Sequence, residues 1–110
     1  MKILDEFTDS VVSILTRFGY SVQTEVALPN GRGAIDVLAT SPRGDKLGLE
    51  LKSSPSTLNN PKIARQLSRY SEVNGCGNLG LISPDASGTP RLELLSSDYK
   101  GSLADYLVSF

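Results

Sequence analysis

The stretch GRGAIDVLATSPRGDKLGLELK, residues Gly31 to Lys52, predicts two apolar strands joined by a polar turn. Both strands carry charges where a core strand is normally apolar. Asp36 interrupts the first strand, and Glu50 and Lys52 lie at the end of the second. A charge in a low-dielectric strand is strongly unfavourable unless it is paired or holds a metal. The stretch therefore predicts a site where two carboxylates and one ammonium group meet.

The composition narrows the chemistry that such a site can perform. The chain has 110 residues, which predicts a single domain over residues 1–110. It has no histidine and one cysteine, Cys76, which excludes an internal disulfide, Ser-His-Asp hydrolysis and most zinc sites. A metal would need oxygen ligands, and these favour Mg²⁺ or Mn²⁺.

The remaining sequence predicts a cytoplasmic protein that does not interact with a membrane. No apolar run approaches the roughly 20 residues of a membrane-spanning helix. The first six residues include Asp5 and Glu6, whereas a secretory signal needs an apolar run there.

The charge is distributed unevenly along the chain. The net charge is −1, but residues 43–69 hold six basic residues against two acidic ones. A basic middle segment is typical of a surface that binds nucleic acid, although an ordinary solvated charge pattern explains it equally well.

Periodicity predicts an α/β fold. One helix and one strand precede the two apolar strands of the opening stretch. A second helix comes after them and begins with the capping pair Asn60-Pro61. Short turns between the first three strands favour an antiparallel meander, and the long connection after Lys52 favours a parallel crossover. The predicted elements are a helix over Ile3–Phe18, strands over Tyr20–Leu28, Ala34–Ala39 and Lys46–Lys52, a helix from Asn60 to about Asn74, strands over Leu79–Ser83 and Arg91–Leu95, and a final helix from Ser102.

The charged residues of the opening stretch suit phosphodiester hydrolysis. Glu50 and Lys52 are two residues apart on a strand and therefore share a face. Asp36, on the neighbouring strand, is expected to lie across from them, so that Asp36 and Glu50 share a divalent cation with the Leu51 carbonyl as a third oxygen. Lys52 would then position or deprotonate the attacking water and offset the developing negative charge.

This constellation resembles the PD-(D/E)xK nuclease superfamily, which includes restriction endonucleases and Holliday-junction resolvases. Thirteen residues separate Asp36 from Glu50-Leu51-Lys52. The predicted element order also matches the family's αβββαβ core, a mixed sheet flanked by helices, over roughly Leu4 to Ile82. The resemblance implies Asp36 and Glu50 as metal ligands and Lys52 as the catalytic lysine.

Further residues follow from the same resemblance. Gln66 and Tyr70 form the Gln-x-x-x-Tyr pattern of recombination-type nucleases, and spacing of four residues places them on one helix face. Family analogy turns that face toward the active site. The chain departs from the family pattern at Ile35, where proline is frequent, and at Thr8, where the family's first-helix glutamate falls. Glu6 is the favoured replacement, with Asp5 and Asp9 as alternatives.

Four basic residues are predicted to contact the backbone of the substrate. Arg32 lies in the turn before Asp36, and the other three lie on the second helix: Lys62, Arg65 and Arg69.

These residues predict a metal-dependent endonuclease that acts on DNA, with RNA not excluded. So short a chain has little room for sequence-reading elements, which favours structure-selective or nonspecific cutting. A homodimer is expected, with an apolar interface from Tyr99, Leu103, Tyr106 and Phe110. Two alternatives remain: a nuclease-fold module that binds nucleic acid or a protein without cutting, and an assembly protein in which the charges merely pair.

Overall fold

One mixed sheet organises the part of the chain that the computed structural model describes, namely residues 3–29, 31, 33–72 and 76–109. Its strands are β1 (Ser21–Ala27), β2 (Ala34–Thr40), β3 (Lys46–Leu51), β4 (Cys76–Pro84), β5 (Pro90–Leu94) and β6 (Lys100–Ser102). The helices are α1 (Ile3–Arg17), α2 (Pro61–Ser68), a 3₁₀ helix (Arg69–Glu72) and α3 (Leu103–Val108).

The spatial order of the strands follows the order of the chain, β1-β2-β3-β4-β5-β6. Neighbouring strands are antiparallel except for β3 and β4, which are parallel. The connection that carries α2 is the long crossover that a parallel pair requires. The prediction of an α/β fold with a mixed sheet is therefore confirmed, including the meander and the crossover, whereas the family assignment stays a prediction.

Apolar side chains form a separate hydrophobic core on each face of the sheet. Alternate residues of β3, Leu47, Leu49 and Leu51, pack in one core with side chains of α1 and α3. The second core contains Leu38 of β2 together with Leu67 and Tyr70. We call these surfaces the α1/α3 face and the α2 face of the sheet. Because side chains alternate along a strand, Gly48, Glu50 and Lys52 belong to the α2 face.

The second helix ends earlier than its apolar periodicity predicts. Ile63, Leu67 and Tyr70 are buried as expected, but the α-helix stops at Ser68 and continues as the 3₁₀ helix. The hydroxyl of Ser68 donates to the Ala64 carbonyl and competes with the helical backbone pattern. Residues 73–75, where the predicted helix ended, lie outside the described residues.

The predicted apolar dimer interface needs correction. Leu103 and Tyr106 are buried in the core beneath the α1/α3 face, and the Tyr99 ring contacts Tyr106 with 5.2 Å between centroids. These side chains stabilise the monomer's own core because α3 folds back onto the sheet, so they are not available as an exposed interface. Phe110 lies outside the described residues.

The helices of the described residues are too short or too polar to cross a membrane.

Candidate functional site

The end of β3 meets an irregular part of β2 at Asp36. The paired register of β2 and β3 runs from Thr40–Lys46 to Val37–Leu49 and stops there. Beyond this point the Asp36 carboxylate replaces a backbone acceptor: its Oδ2 accepts a hydrogen bond of 2.9 Å from the Leu51 N–H. This hydrogen bond joins Asp36 to the strand that bears Glu50 and Lys52. The sequence predicted that Asp36 would lie across from these two residues.

The neighbouring strand β1 is distorted at the residue opposite Asp36. Thr24 pairs with Val37 and Val26 pairs with Ile35, so Glu25 lies opposite Asp36 between them. Glu25 has a φ of +53°, a conformation that non-glycine residues adopt rarely. Ile35 also lies in the core of the α2 face, although strict alternation would place it with Val37 on the other face. The regular ladder is therefore interrupted where the Asp36 side chain reaches across to β3.

Glu50 is a buried carboxylate with one partnered and one unpartnered oxygen. The residue is 2% exposed, and the Tyr70 hydroxyl donates to its Oε1 at 3.2 Å. Among the described residues, no donor contacts Oε2, and the side-chain hydrogen bond between Glu50 and Asp36 can form only when Glu50 carries a proton. A buried polar atom without a partner is unusual in native structures and calls for an explanation such as an ion or a catalytic role.

The pKa of Glu50 reflects its burial beside a second carboxyl group. Burial, followed by the adjacent Asp36 carboxyl, raises the pKa of Glu50 to about 8, whereas Lys52 and the Tyr70 hydroxyl oppose the shift. Burial and the same two carboxyls also raise the pKa of Tyr70, which keeps its hydroxyl protonated as a donor. A cation beside the two carboxylates would relieve this repulsion.

The donor set fits a hard divalent cation. Asp36 and Glu50 each keep one carboxylate oxygen that is not used in the hydrogen bonds above. The N–H and C=O groups of one strand residue point to the same edge, so the Leu51 carbonyl is directed to the side on which its N–H meets Asp36. Two carboxylates and one carbonyl leave room for the waters that Mg²⁺ normally retains. The described residues hold no group of three acidic or cysteine side chains that could bind a metal.

Lys52 follows directly after β3 and is half-buried. Its N–H donates to the Ile82 carbonyl at 2.9 Å, which extends the parallel register by one residue and keeps Lys52 on the face of Glu50. Its positive charge lowers the pKa of Glu50 by Coulomb attraction. The ammonium group is thus part of the same electrostatic cluster.

The predicted helix residues lie together along an open groove. Tyr70 and the exposed Gln66 line a depression of about 230 Å³, together with Leu28, Gly33, Ala34 and the basic residues Lys62, Arg65 and Arg69. Tyr70, rather than Gln66, makes the hydrogen bond to Glu50. Gln66 is exposed whereas Tyr70 is buried, although both residues line the groove.

One predicted site residue, Glu6, remains apart from this cluster, and a second, Arg32, is not among the described residues. Glu6 is exposed on α1, whose buried side chains pack on the α1/α3 face. No hydrogen bond among the described residues joins Glu6 to Asp36 or Glu50, so its catalytic role stays a prediction. Arg32 lies outside the described residues.

The sequence does not indicate that one further charged residue is buried. Glu93 of β5 is buried and paired with Arg91. In the sequence the segment Arg91–Leu94 alternates like any strand with one solvated face, so only the three-dimensional register reveals that this face is covered.

Comparisons with protein-family models, with curated proteins and with solved structures return no match to this chain.

Proposed function

We propose that this protein is a metal-dependent endonuclease that hydrolyses phosphodiester bonds of DNA with Mg²⁺ or Mn²⁺. One observation carries the proposal: buried Glu50 keeps an unpartnered oxygen beside the Asp36 carboxylate, at the end of the strand that leads to Lys52. A chain without histidine needs an acid–base mechanism built from carboxylates, lysine and water.

Each residue has a defined role in this proposal. The Asp36 and Glu50 carboxylates and the Leu51 carbonyl would hold the cation. The Tyr70 hydroxyl orients Glu50, and the Leu51 N–H orients Asp36. When bound, the cation supplies Lewis-acid activation of the phosphate and of a water molecule. Lys52 orients that water or takes its proton, and its charge offsets negative charge that develops on the phosphate.

The groove beside Tyr70 supports DNA as the substrate. Lys62, Arg65 and Arg69 are exposed along it, and such side chains bind phosphates without reading sequence. In this proposal the exposed Gln66 would donate to a phosphate oxygen. The short chain favours structure-selective, resolvase-like or nonspecific cleavage. RNA is tested beside DNA because phosphate contacts alone do not distinguish them.

The experiment is cleavage of labelled linear and four-way-junction DNA by the full chain, with Mg²⁺, Mn²⁺ or EDTA. We expect metal-dependent products from the wild type. Removing an acid–base group of this kind slows catalysis about 100-fold or more, so Asp36→Asn, Glu50→Gln and Lys52→Ala should each lose most activity. The matched controls are Asp98→Asn and Arg43→Ala, at exposed positions away from the site. Full activity in all three site variants would reject the assignment.

A module that binds nucleic acid or a protein without cutting it is the second candidate. It is favoured by the absence of a third carboxylate beside Asp36 and Glu50 among the described residues. This candidate predicts DNA binding that weakens with salt but no metal-dependent turnover by the wild type. Single-turnover assays at high enzyme concentration separate slow cleavage from none.

We further propose that the active protein is a homodimer, which would allow two strands to be cut symmetrically. Sedimentation at several concentrations, with and without junction DNA, tests this state. A monomer in both conditions contradicts it.

A further inference from the structure

Glu93 is a buried carboxylate for which the proposed chemistry has no role. It is 3% exposed, and both of its oxygens have partners. Oε1 accepts from the Leu58 N–H and the Thr57 hydroxyl at 3.2 Å each, and Oε2 accepts from Arg91 Nη1 at 2.9 Å. Burial raises its pKa, but the contacts with Leu58, Arg91 and Thr57 outweigh burial and hold the pKa below its usual value. Glu93 is therefore an ionised group held inside a complete set of donors.

The register places this group on the same face as the candidate site. Glu50 pairs with Leu81 across β3 and β4, and Leu81 pairs with Glu93 across β4 and β5. Residues in one row of a sheet point to the same side, so Glu93 shares the α2 face with Glu50. Arg91, two residues before Glu93, belongs to that face as well. Neighbouring strands are about 4.8 Å apart, which sets the backbone of Arg91 about 10 Å from that of Lys52.

Arg91 is held in place while about a third of its side chain remains exposed. Its side chain is 36% exposed, whereas that of Glu93 is only 4% exposed. A guanidinium group has five N–H donors, and the ion pair with Glu93 occupies Nη1. A buried partner that fixes a long cationic side chain reduces the entropy lost when this side chain binds a second anion.

Glu93 also fixes the segment that joins Lys52 to α2. Its two contacts with Thr57 and Leu58 are reinforced by Ser83 of β4, whose hydroxyl accepts from the Ser56 N–H at 3.2 Å and donates to the Ser56 carbonyl at 3.3 Å. One carboxylate thus links the segment after the lysine to the guanidinium of Arg91.

We propose that Glu93 is a positioning residue that presents Arg91 to a phosphate of the nucleic-acid substrate, on the side of Lys52 away from Asp36. The inference rests on the proposed function and adds a second cationic contact region, separate from the groove of Lys62, Arg65 and Arg69. The chemical class that it binds is a backbone phosphate diester.

Equilibrium binding tests this contact independently of cleavage. Fluorescence anisotropy of labelled four-way-junction DNA is measured with the full chain in EDTA over a range of salt concentrations. Each phosphate that the protein neutralises adds about 0.9 to the slope of log K against log salt, so Arg91→Ala should weaken binding about tenfold at low salt and reduce the slope by about 1. Arg17→Ala is the matched control, because Arg17 is exposed at the end of α1.

Glu93→Gln separates positioning from folding. Its amide oxygen still accepts from Leu58, but the charge that holds Arg91 is removed. We expect a binding loss close to that of Arg91→Ala with little change in the circular dichroism spectrum. The double variant should bind no worse than Arg91→Ala, since coupled residues are not additive. Glu93→Asp is expected to restore part of the affinity.

The outcomes are distinct. If the wild type binds DNA and Arg91→Ala binds equally well, the inference is overturned and the proposed nuclease stands. If folded Glu93→Gln binds like the wild type, Glu93 is structural only and its positioning role is rejected. If the wild type binds no DNA in EDTA, this inference is overturned, and the separate cleavage assay with Mg²⁺ decides whether the proposed function fails with it.

Discussion

Glu50 combines burial, an unpartnered oxygen and a neighbouring carboxyl group. Leaving a buried polar atom without a partner costs about 1–3 kcal/mol, and a second carboxyl nearby adds repulsion. Residues that weaken a fold in this way tend to lie where function requires them. The cost should be visible in the protein without metal, because no cation is then present to offset it.

The pH dependence of stability provides a first prediction. Glu50 binds its proton more tightly in the folded state, with a pKa of about 8 against 4.5, so protonation stabilises the fold. This contribution is complete below about pH 4.5 and is lost as the pH rises through about 8, at no more than about 1.4 kcal/mol per pH unit. In EDTA, Glu50→Gln should therefore melt several degrees above the wild type at pH 8.5, with a smaller difference at pH 5.

Thermal melting monitored by circular dichroism measures this difference, with Asp98→Asn as the control. Added Mg²⁺ should raise the melting temperature of the wild type and leave that of Glu50→Gln almost unchanged. Melting curves of the two proteins that stay parallel from pH 5 to pH 8.5 would contradict the electrostatic description of Glu50.

Tyr70→Phe tests the hydrogen bond to Glu50. The ring stays in its core beside Leu67, but both Glu50 oxygens then lack a partner, which should destabilise the fold by about 1–3 kcal/mol. Because the hydroxyl lowers the pKa of Glu50, its removal should shift the pH at which Mg²⁺ begins to stabilise the protein to a higher value. Urea unfolding and Mg²⁺ titrations at several pH values measure both effects. An unchanged pH midpoint would show that the hydroxyl does not act on Glu50.

At the scale of the residue, the sequence identifies charges that are anomalous and misses charges that look ordinary. Asp36 and Glu50 stand out because each interrupts an apolar strand. Glu93 does not stand out, since Arg91-Leu92-Glu93-Leu94 has the alternation of a half-exposed strand. Its burial depends on the Thr57–Leu58 segment, which the sequence predicts only as a polar connector.

Among the elements, β3 and β4 pack closely at a single glycine. A Cβ at Gly48 would lie 2.8 Å from Cys76 Sγ and 3.1 Å from Leu79 Cδ2. Overpacking of this kind costs about 1–3 kcal/mol, so Gly48→Ala should unfold at a lower urea concentration than the wild type. Gly77→Ala is the matched control, because its Cβ would meet no atom within 4 Å.

The partner residue supplies the second arm of this test. Cys76→Ala removes the sulfur atom, so Gly48→Ala combined with Cys76→Ala should lose less stability than the two single effects added together. Strict additivity would mean that the close approach of Gly48 and Cys76 does not exist in solution.

Element boundaries follow the local signals where these are strong. Asn60 caps α2 through its Oδ1, which accepts from the Lys62 N–H at 3.0 Å, and Ser102 caps α3 through the Asp105 N–H. The sequence does not predict the strand β6, because three polar or small residues, Lys100–Ser102, carry no alternation. It forms because β5 offers it an antiparallel edge, which is tertiary context.

The whole molecule has a net charge of −1 but concentrates basic side chains along the α2 groove. If these residues contact phosphates, binding should depend on salt despite the acidic total. Replacing Lys62, Arg65 and Arg69 together by alanine should lower the salt slope by about 0.9 for each phosphate that is no longer neutralised. Anisotropy with labelled DNA in EDTA measures the slope. Removing Arg17 and Arg43 instead should change it little, and equal slopes in both sets would contradict the groove as the contact surface.

The topology of the sheet could be predicted from the sequence, whereas the surface used for dimer formation could not. Short turns between the first three strands and a long segment before β4 leave few topologies for a mixed sheet, and the chain adopts the expected one. The dimer surface could not be predicted in this way. An apolar helix stripe such as Leu103 and Tyr106 has the same pattern whether it faces the protein's own core or another molecule.

The hydrogen bond from Leu51 to Asp36 gives the amide proton of Leu51 an unusual property. Most strand amides donate to a backbone carbonyl, whereas this one donates at 2.9 Å to a side-chain carboxylate of the candidate metal site. Its NMR chemical shift should therefore respond when a cation binds to Asp36. The rate at which this amide proton exchanges with deuterium should also change when a cation binds. A single proton in the backbone therefore reports the state of the site without any substrate.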